Sequence, residues 1–166
     1  MASFNRRSYR EVGTVQLDHG VPVTHDATRT LLISIHSHYA QLILSGTKRV
    51  ELRRRFDPDA TGGRMLIYAT LPTAAVIGHT RIERVEWLCI EDIWQRHASH
   101  ASIPAAEFDR YFNGAERGFA ILLADPKRYS TPISLDDMRS RHGLSAPQSY
   151  VFLREAHREL IEHEQD

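Results

Sequence analysis

The chain has 166 residues, 42% of them hydrophobic and 25% charged, which fits one soluble globular domain with a core of its own. Lys plus Arg and Asp plus Glu both total 21, and this zero balance argues against a protein that coats nucleic acid along a whole basic face. Apolar runs fall short of the ~18 residues of a membrane span, no apolar leader follows Met1, and the single cysteine, Cys89, has no internal partner for a disulfide. A reducing, cytoplasmic setting without a membrane partner is expected.

Residues 1–29 carry Arg6, Arg7 and Arg10 with little periodicity and read as an N-terminal arm, although Thr14 to Leu17 alternate as an edge strand would. Patterning begins at Leu31-Leu32-Ile33-Ser34-Ile35, an apolar run rich in strand formers. Ser37 is placed to cap a helix over 38–44, with Tyr39, Leu42 and Ile43 on its inner face. Gly46 then stands where a left-handed residue ends it. Lys48 to Arg53 alternate, Val50 and Leu52 one way, Arg49, Glu51 and Arg53 the other.

Arg64 to Ala69 read as a strand, and Ala75 to Trp87 as a longer one, with Gly78 marking a bend or bulge. A helical insertion follows, one short helix from Ile90 and a second from Pro104 to Phe112. Trp87, Trp94, Phe108, Tyr111 and Phe112 are expected in its core. Phe119 to Leu123 form an apolar strand, and Ser134 begins a capping-box variant with a helix running to Gly143. Tyr150 to Leu153 form a last short strand, and 156–166 read as a charged C-terminal helical tail. The domain proper is thus 30–155. Regular strand–helix alternation and glycine-rich phosphate loops are missing. The fold class is mainly β or α+β, a small barrel of five or six mostly antiparallel strands with inserted and flanking helices.

Chemistry concentrates in Ser45-Gly46-Thr47-Lys48-Arg49-Val50-Glu51-Leu52-Arg53. A glycine-ended helix delivers the chain into a strand whose charged residues hold one another and offer donors and an acceptor to a base edge or a phosphate. The same spacing also fits a solvated edge strand with ion pairs worth about 0–1 kcal/mol each.

Gly46-x-Lys48-x-x-Glu51-x-Arg53 after a strand and a short helix resembles the signature of the ASCH (activating signal cointegrator homology) domain family, within the PUA-like β-barrels. Ser34-Ile35-His36-x-x-Tyr39-Ala40, Leu66-Ile67-Tyr68-Ala69-Thr70-x-Pro72, Gly118-Phe119-Ala120-Ile121 and Pro147-Gln148-Ser149-Tyr150 resemble further family blocks in the right order. The resemblance implies a PUA-like barrel whose cleft binds RNA or a modified nucleotide, with no cofactor. It carries binding roles to His36, Lys48, Glu51, Arg53 and Arg55, and to Tyr68, Thr70, Gln148 and Ser149. Lys48 reaches that cleft only if the helix–strand junction overrides strict alternation.

Some members of the family are hydrolases, and if this chain is one, Lys48 and Glu51 are the catalytic candidates. An amidohydrolase branch acting on acetylated cytidine places a threonine three residues after its lysine, where this chain has Glu51. Its third catalytic residue has no secure match here, Glu83 and Glu86 being candidates only. A second branch is described as a metal-dependent ribonuclease. His36 and His38, and the pair His97-x-x-His100, lack a partner acid or cysteine pair for a metal, so no metal site is assigned. Cys89 reads as a buried small apolar residue.

Overall fold

The computed structural model describes residues 29–164, so the arm and its Thr14–Leu17 alternation lie outside the described residues. Strands β1 (Thr30–Ile35), β2 (Val50–Arg53), β3 (Arg64–Ala69), β4 (Ala75–Cys89), β5 (Arg117–Ser134) and β6 (Tyr150–Phe152) form one mixed sheet. Its order is β2-β5-β4-β3-β1-β6, curled into a half-barrel. Every pairing is antiparallel except β1 with β3, which run parallel with Leu32 opposite Leu66. That exception follows from the crossover through helix α1 (Ser37–Leu44) and β2.

Alternation along the strands sorts the apolar side chains into two faces. Leu31, Ile33, Met65, Ile67 and Ile121 fill the inner core beneath α1. Leu32, Leu66 and Val76 face the other way, where helices α4 (Leu135–His142) and α5 (Arg158–Ile161) cover them with Met138 and Leu160. A third cluster lies outside β2 and β5, where Val50, Leu52 and Ala120 pack against Ile93, Phe108 and Phe112 of α2 (Ile90–Ala101) and α3 (Ala105–Phe112). The helical insertion is therefore a buttress for β2.

Local signals explain the ends of the elements. Gly46 adopts φ +77° and turns the chain after α1. Ser134 Oγ accepts from the Asp137 amide at 3.1 Å, and Gly143 closes α4 in a left-handed conformation. At Gly78 the register shifts on both sides of β4, and an added Cβ would sit 2.3 Å from the Lys127 carbonyl oxygen.

Four sequence expectations are corrected. His36, not Ser37, occupies the position before α1, because the Ser37 hydroxyl pairs with Thr73 Oγ1 at 2.5 Å instead. β5 runs through Asp125–Thr131, where its polar residues pair with the bulged first half of β4. Trp87 is 57% exposed, since the insertion packs on the opposite side of the sheet. Cys89 is only half-buried, at the last position of β4.

Candidate functional site

β2 and β6 are the two edges of the half-barrel, and the sheet does not join them by backbone pairing. Arg53 crosses the gap with its side chain. Its Nη2 donates to the Ser34 carbonyl on β1 at 2.8 Å, and its Nη1 reaches Ser149 Oγ, just before β6, at 3.4 Å. The Ser34 amide donates to the Ser149 carbonyl, and the Ser34 hydroxyl to the Pro147 carbonyl at 2.6 Å, so the 147–149 loop is pinned along this seam. A cleft of about 320 Å³ opens above it, near the lower end of small-molecule sites.

Lys48 lies at the bottom. It is 4% exposed, because the turn at Gly46 and the backbone bond from its amide to the Leu42 carbonyl fold it under α1. Its Nζ donates to the Ala101 carbonyl at 2.6 Å and stands 3.3 Å from Glu51 Oε2. It also lies 5.1 Å from the centre of the Tyr39 ring. The other Glu51 oxygen accepts from Arg53 Nε at 3.1 Å. Both carboxylate oxygens are thus held by cations, and Lys48, Glu51 and Arg53 together leave one positive charge in the floor.

The walls come from four other segments. His36 and Tyr39 enter from the start of α1, Thr70 from the end of β3, Gln148 from the pinned loop, and Ile103 and Tyr111 from the insertion. The Tyr39 hydroxyl donates to Glu107 of α3 at 2.5 Å. Burial, with that acidic acceptor, pushes Tyr39 up to about 12, so its phenol keeps its proton at neutral pH. Tyr111 is also raised, chiefly by burial, and its hydroxyl accepts the Arg54 amide at 3.3 Å. Beyond Arg53 the cleft opens into a wider basin lined by Arg54, Arg55, Ala115 and Ser149.

The structure therefore brings His36, Lys48, Glu51, Arg53, Thr70 and Gln148 into one cleft, and sets Arg55 and Ser149 in the adjoining basin. Lys48 does reach the cleft from the junction, as Nζ meets Glu51. Tyr68 is a correction. It is 4% exposed and packs with Leu32, Leu66 and Val76, because strand alternation carries it to the second core. The burial of Lys48 also sets aside the solvated edge strand that the spacing alone allowed. Glu83 and Glu86 stand on β4 away from the cleft lining, and Glu86 accepts from or pairs with His97 Nε2 at 2.9 Å. No three His, Cys, Asp or Glu side chains converge as a metal site among the described residues.

Sequence reasoning missed Tyr39 and Tyr111 as walls, placing both in cores. One signal was available: each is a tyrosine in an otherwise apolar stripe, and its hydroxyl needs a partner at a wet edge.

A family model described as the ASCH domain matches residues 33–132. A Zymomonas mobilis protein named "ASCH domain-containing ribonuclease" is 36% identical over 124 residues, 74% of this chain and 83% of that protein. The large ribosomal subunit protein uL22 of Ureaplasma parvum is 26% identical over 129 residues, 78% of this chain but only 40% of its own length. The crystal structure of the Zymomonas mobilis ASCH protein superposes with a TM-score of 0.76 at 33% identity, covering 81% of this chain and 95% of that one. Tyrosine-to-phenylalanine and serine-to-alanine variants of that protein have also been solved. Pattern, half-barrel and relatives agree, and the chain belongs to the ASCH domain family.

Proposed function

We propose that this protein binds single-stranded RNA, seating one nucleoside in the seam cleft and running the adjoining phosphates along Arg53, Arg54 and Arg55. The observation that carries this reading is the buried Lys48–Glu51–Arg53 floor, whose surplus positive charge opens onto an arginine-lined basin. A phosphate needs cations that are fixed before it arrives, and Arg53 is fixed by Glu51 and the Ser34 carbonyl. A base needs flat walls and edge partners, which Tyr39, Tyr111 and Gln148 offer. The Zymomonas mobilis relative, whose name places it with ribonucleases, supports RNA as the ligand class. A modified nucleoside would enter by the same floor and walls. An acylated-nucleoside hydrolase has less support, because both Glu51 oxygens are engaged by cations and Glu51 stands where that branch has its threonine.

That relative's name also favours a second step, cleavage of the bound RNA. The 2′-hydroxyl would attack the neighbouring phosphorus, and the bond from phosphorus to the 5′ oxygen would break. One group must take the 2′ proton and another must supply one to the departing oxygen. His36, Tyr39 and Tyr111 offer a ring nitrogen and two hydroxyls on the cleft wall for these transfers, and Arg53 is placed to hold the phosphorane charge.

Anisotropy of a labelled single-stranded RNA, read at several salt concentrations, tests the binding. The double variant Arg54→Ala/Arg55→Ala, both positions exposed, should bind more weakly. Its log–log salt slope should be shallower by roughly 0.7 per charge removed. Unchanged affinity and slope would refute the phosphate path. Separating the products on a gel tests cleavage, which His36→Ala should abolish while RNA remains bound.

A further inference from the structure

Trp87 is the most exposed large aromatic side chain among the described residues, and cleft and cores leave it unexplained. Strand register places it. Arg53 on β2 pairs with Phe119 on β5, and Phe119 pairs with Trp87 on β4, so the three side chains form one row on one sheet face. Two strand spacings separate Trp87 from Arg53, about 10 Å across the sheet. The Arg117 guanidinium lies over the indole at 4.2 Å and is held there by its bond to the Trp87 carbonyl at 2.9 Å. Phe119 stacks beside it with the ring planes 25° apart. Arg54 and Arg55 follow Arg53 along the chain and line the basin that adjoins the cleft, and Ala115 of the basin wall is two residues before Arg117.

We propose that Trp87, backed by Arg117, is a second base-stacking subsite for single-stranded RNA leaving the cleft through the Arg54–Arg55 basin. The inference rests on the RNA reading above and extends it from a one-nucleoside cleft to a track of several nucleotides. Charge decides the occupant. Among the described residues Arg54, Arg55 and Arg117 have no carboxylate within ion-pair distance, whereas Glu86 on the same strand as Trp87 is paired with Arg84. An exposed indole and guanidinium groups without carboxylate partners suit stacked bases between phosphates. An acidic or apolar protein partner would not need the track to lead into the cleft.

The test compares a mononucleotide with a ten-nucleotide RNA carrying 2′-O-methyl riboses, which resists cleavage. Trp87→Ala should weaken the ten-mer about tenfold and leave the mononucleotide unchanged, and Trp87→Phe should restore most of the loss. Quenching of tryptophan fluorescence by the ten-mer should disappear in Trp87→Phe, since Trp94 packs against Phe108 in the third core. Equal ten-mer affinity in wild type and Trp87→Ala, with Arg54→Ala/Arg55→Ala still weakened, would overturn the platform and leave the cleft reading standing. Equal losses for both ligands in Trp87→Ala would also overturn it, as damage to the fold. Failure of wild type to bind either ligand would remove both readings together.

Discussion

Two regions of this molecule bury polar side chains, and they differ in how those groups are satisfied. At the seam, Lys48, Glu51 and Arg53 exchange hydrogen bonds with one another and with the Ala101 and Ser34 carbonyls, beneath an open cleft. In and beside the second core, His79 Nδ1 and the Tyr129 hydroxyl are buried with no hydrogen-bond partner among the described residues, their rings 5.6 Å apart. Glu164 lies over that side, accepting from the Ser130 hydroxyl and from the amides of Ser130 and Thr131. Charge that is buried and fully partnered beneath an open cleft is where we propose that the ligand sits. Polarity that is buried and unpartnered marks a cost to stability.

The comparison can be broken most forcefully at Glu51. Replacing it by leucine leaves Lys48 buried without its carboxylate, so Glu51→Leu should cost about 3–5 kcal/mol in urea unfolding. A cost within 1 kcal/mol would show that the seam network is ornamental to the fold. Lys48→Ala is for the same reason a poor probe of binding alone.

On the other side, pH gives the sharper probe. Burial first, then Arg64 and Lys127, lower His79 from 6.5 to about 4. Between those values the unfolded chain takes up a proton that the folded protein refuses, so stability present above pH 6.5 is lost as pH falls toward 4. His79→Leu should flatten the stability profile across that window, and identical slopes would sink the assignment. The smallest effect is expected at Tyr129. Removing its unpartnered hydroxyl in Tyr129→Phe should change stability by about 0–1 kcal/mol, in the stabilising direction. A clear loss in thermal unfolding would reveal a partner for that oxygen.

Strand alternation made much of the fold legible. Leu31 to Ile35 and Arg64 to Ala69 are strands with the expected ends within a residue, and Gly46, Ser134 and Gly143 punctuate helices as their chemistry dictates. What stayed hidden depends on contacts between distant segments. Lys48 is buried because α2 ends above it, and no local pattern announces that the Ala101 carbonyl will be there. Tyr68 was expected in the cleft and Tyr39 on the inner face of its helix, yet Tyr68 faces α4 and α5 while Tyr39 lines the cleft and meets Glu107. Trp87 was expected in the core of the helical insertion, but the insertion packs behind β2 and β5 and leaves it bare. The motif therefore located the floor of the cleft, and the folded insertion supplied its missing wall.

The most direct test is a titration of the labelled protein with single-stranded RNA, followed by amide and arginine side-chain NMR signals. The account predicts perturbations at Ser34, His36, Tyr39, Arg53, Gln148 and Ser149, with the Arg53 guanidinium among the largest. Shifts confined to Tyr129, Met138 and the face under α4, or no shifts at all, would contradict it.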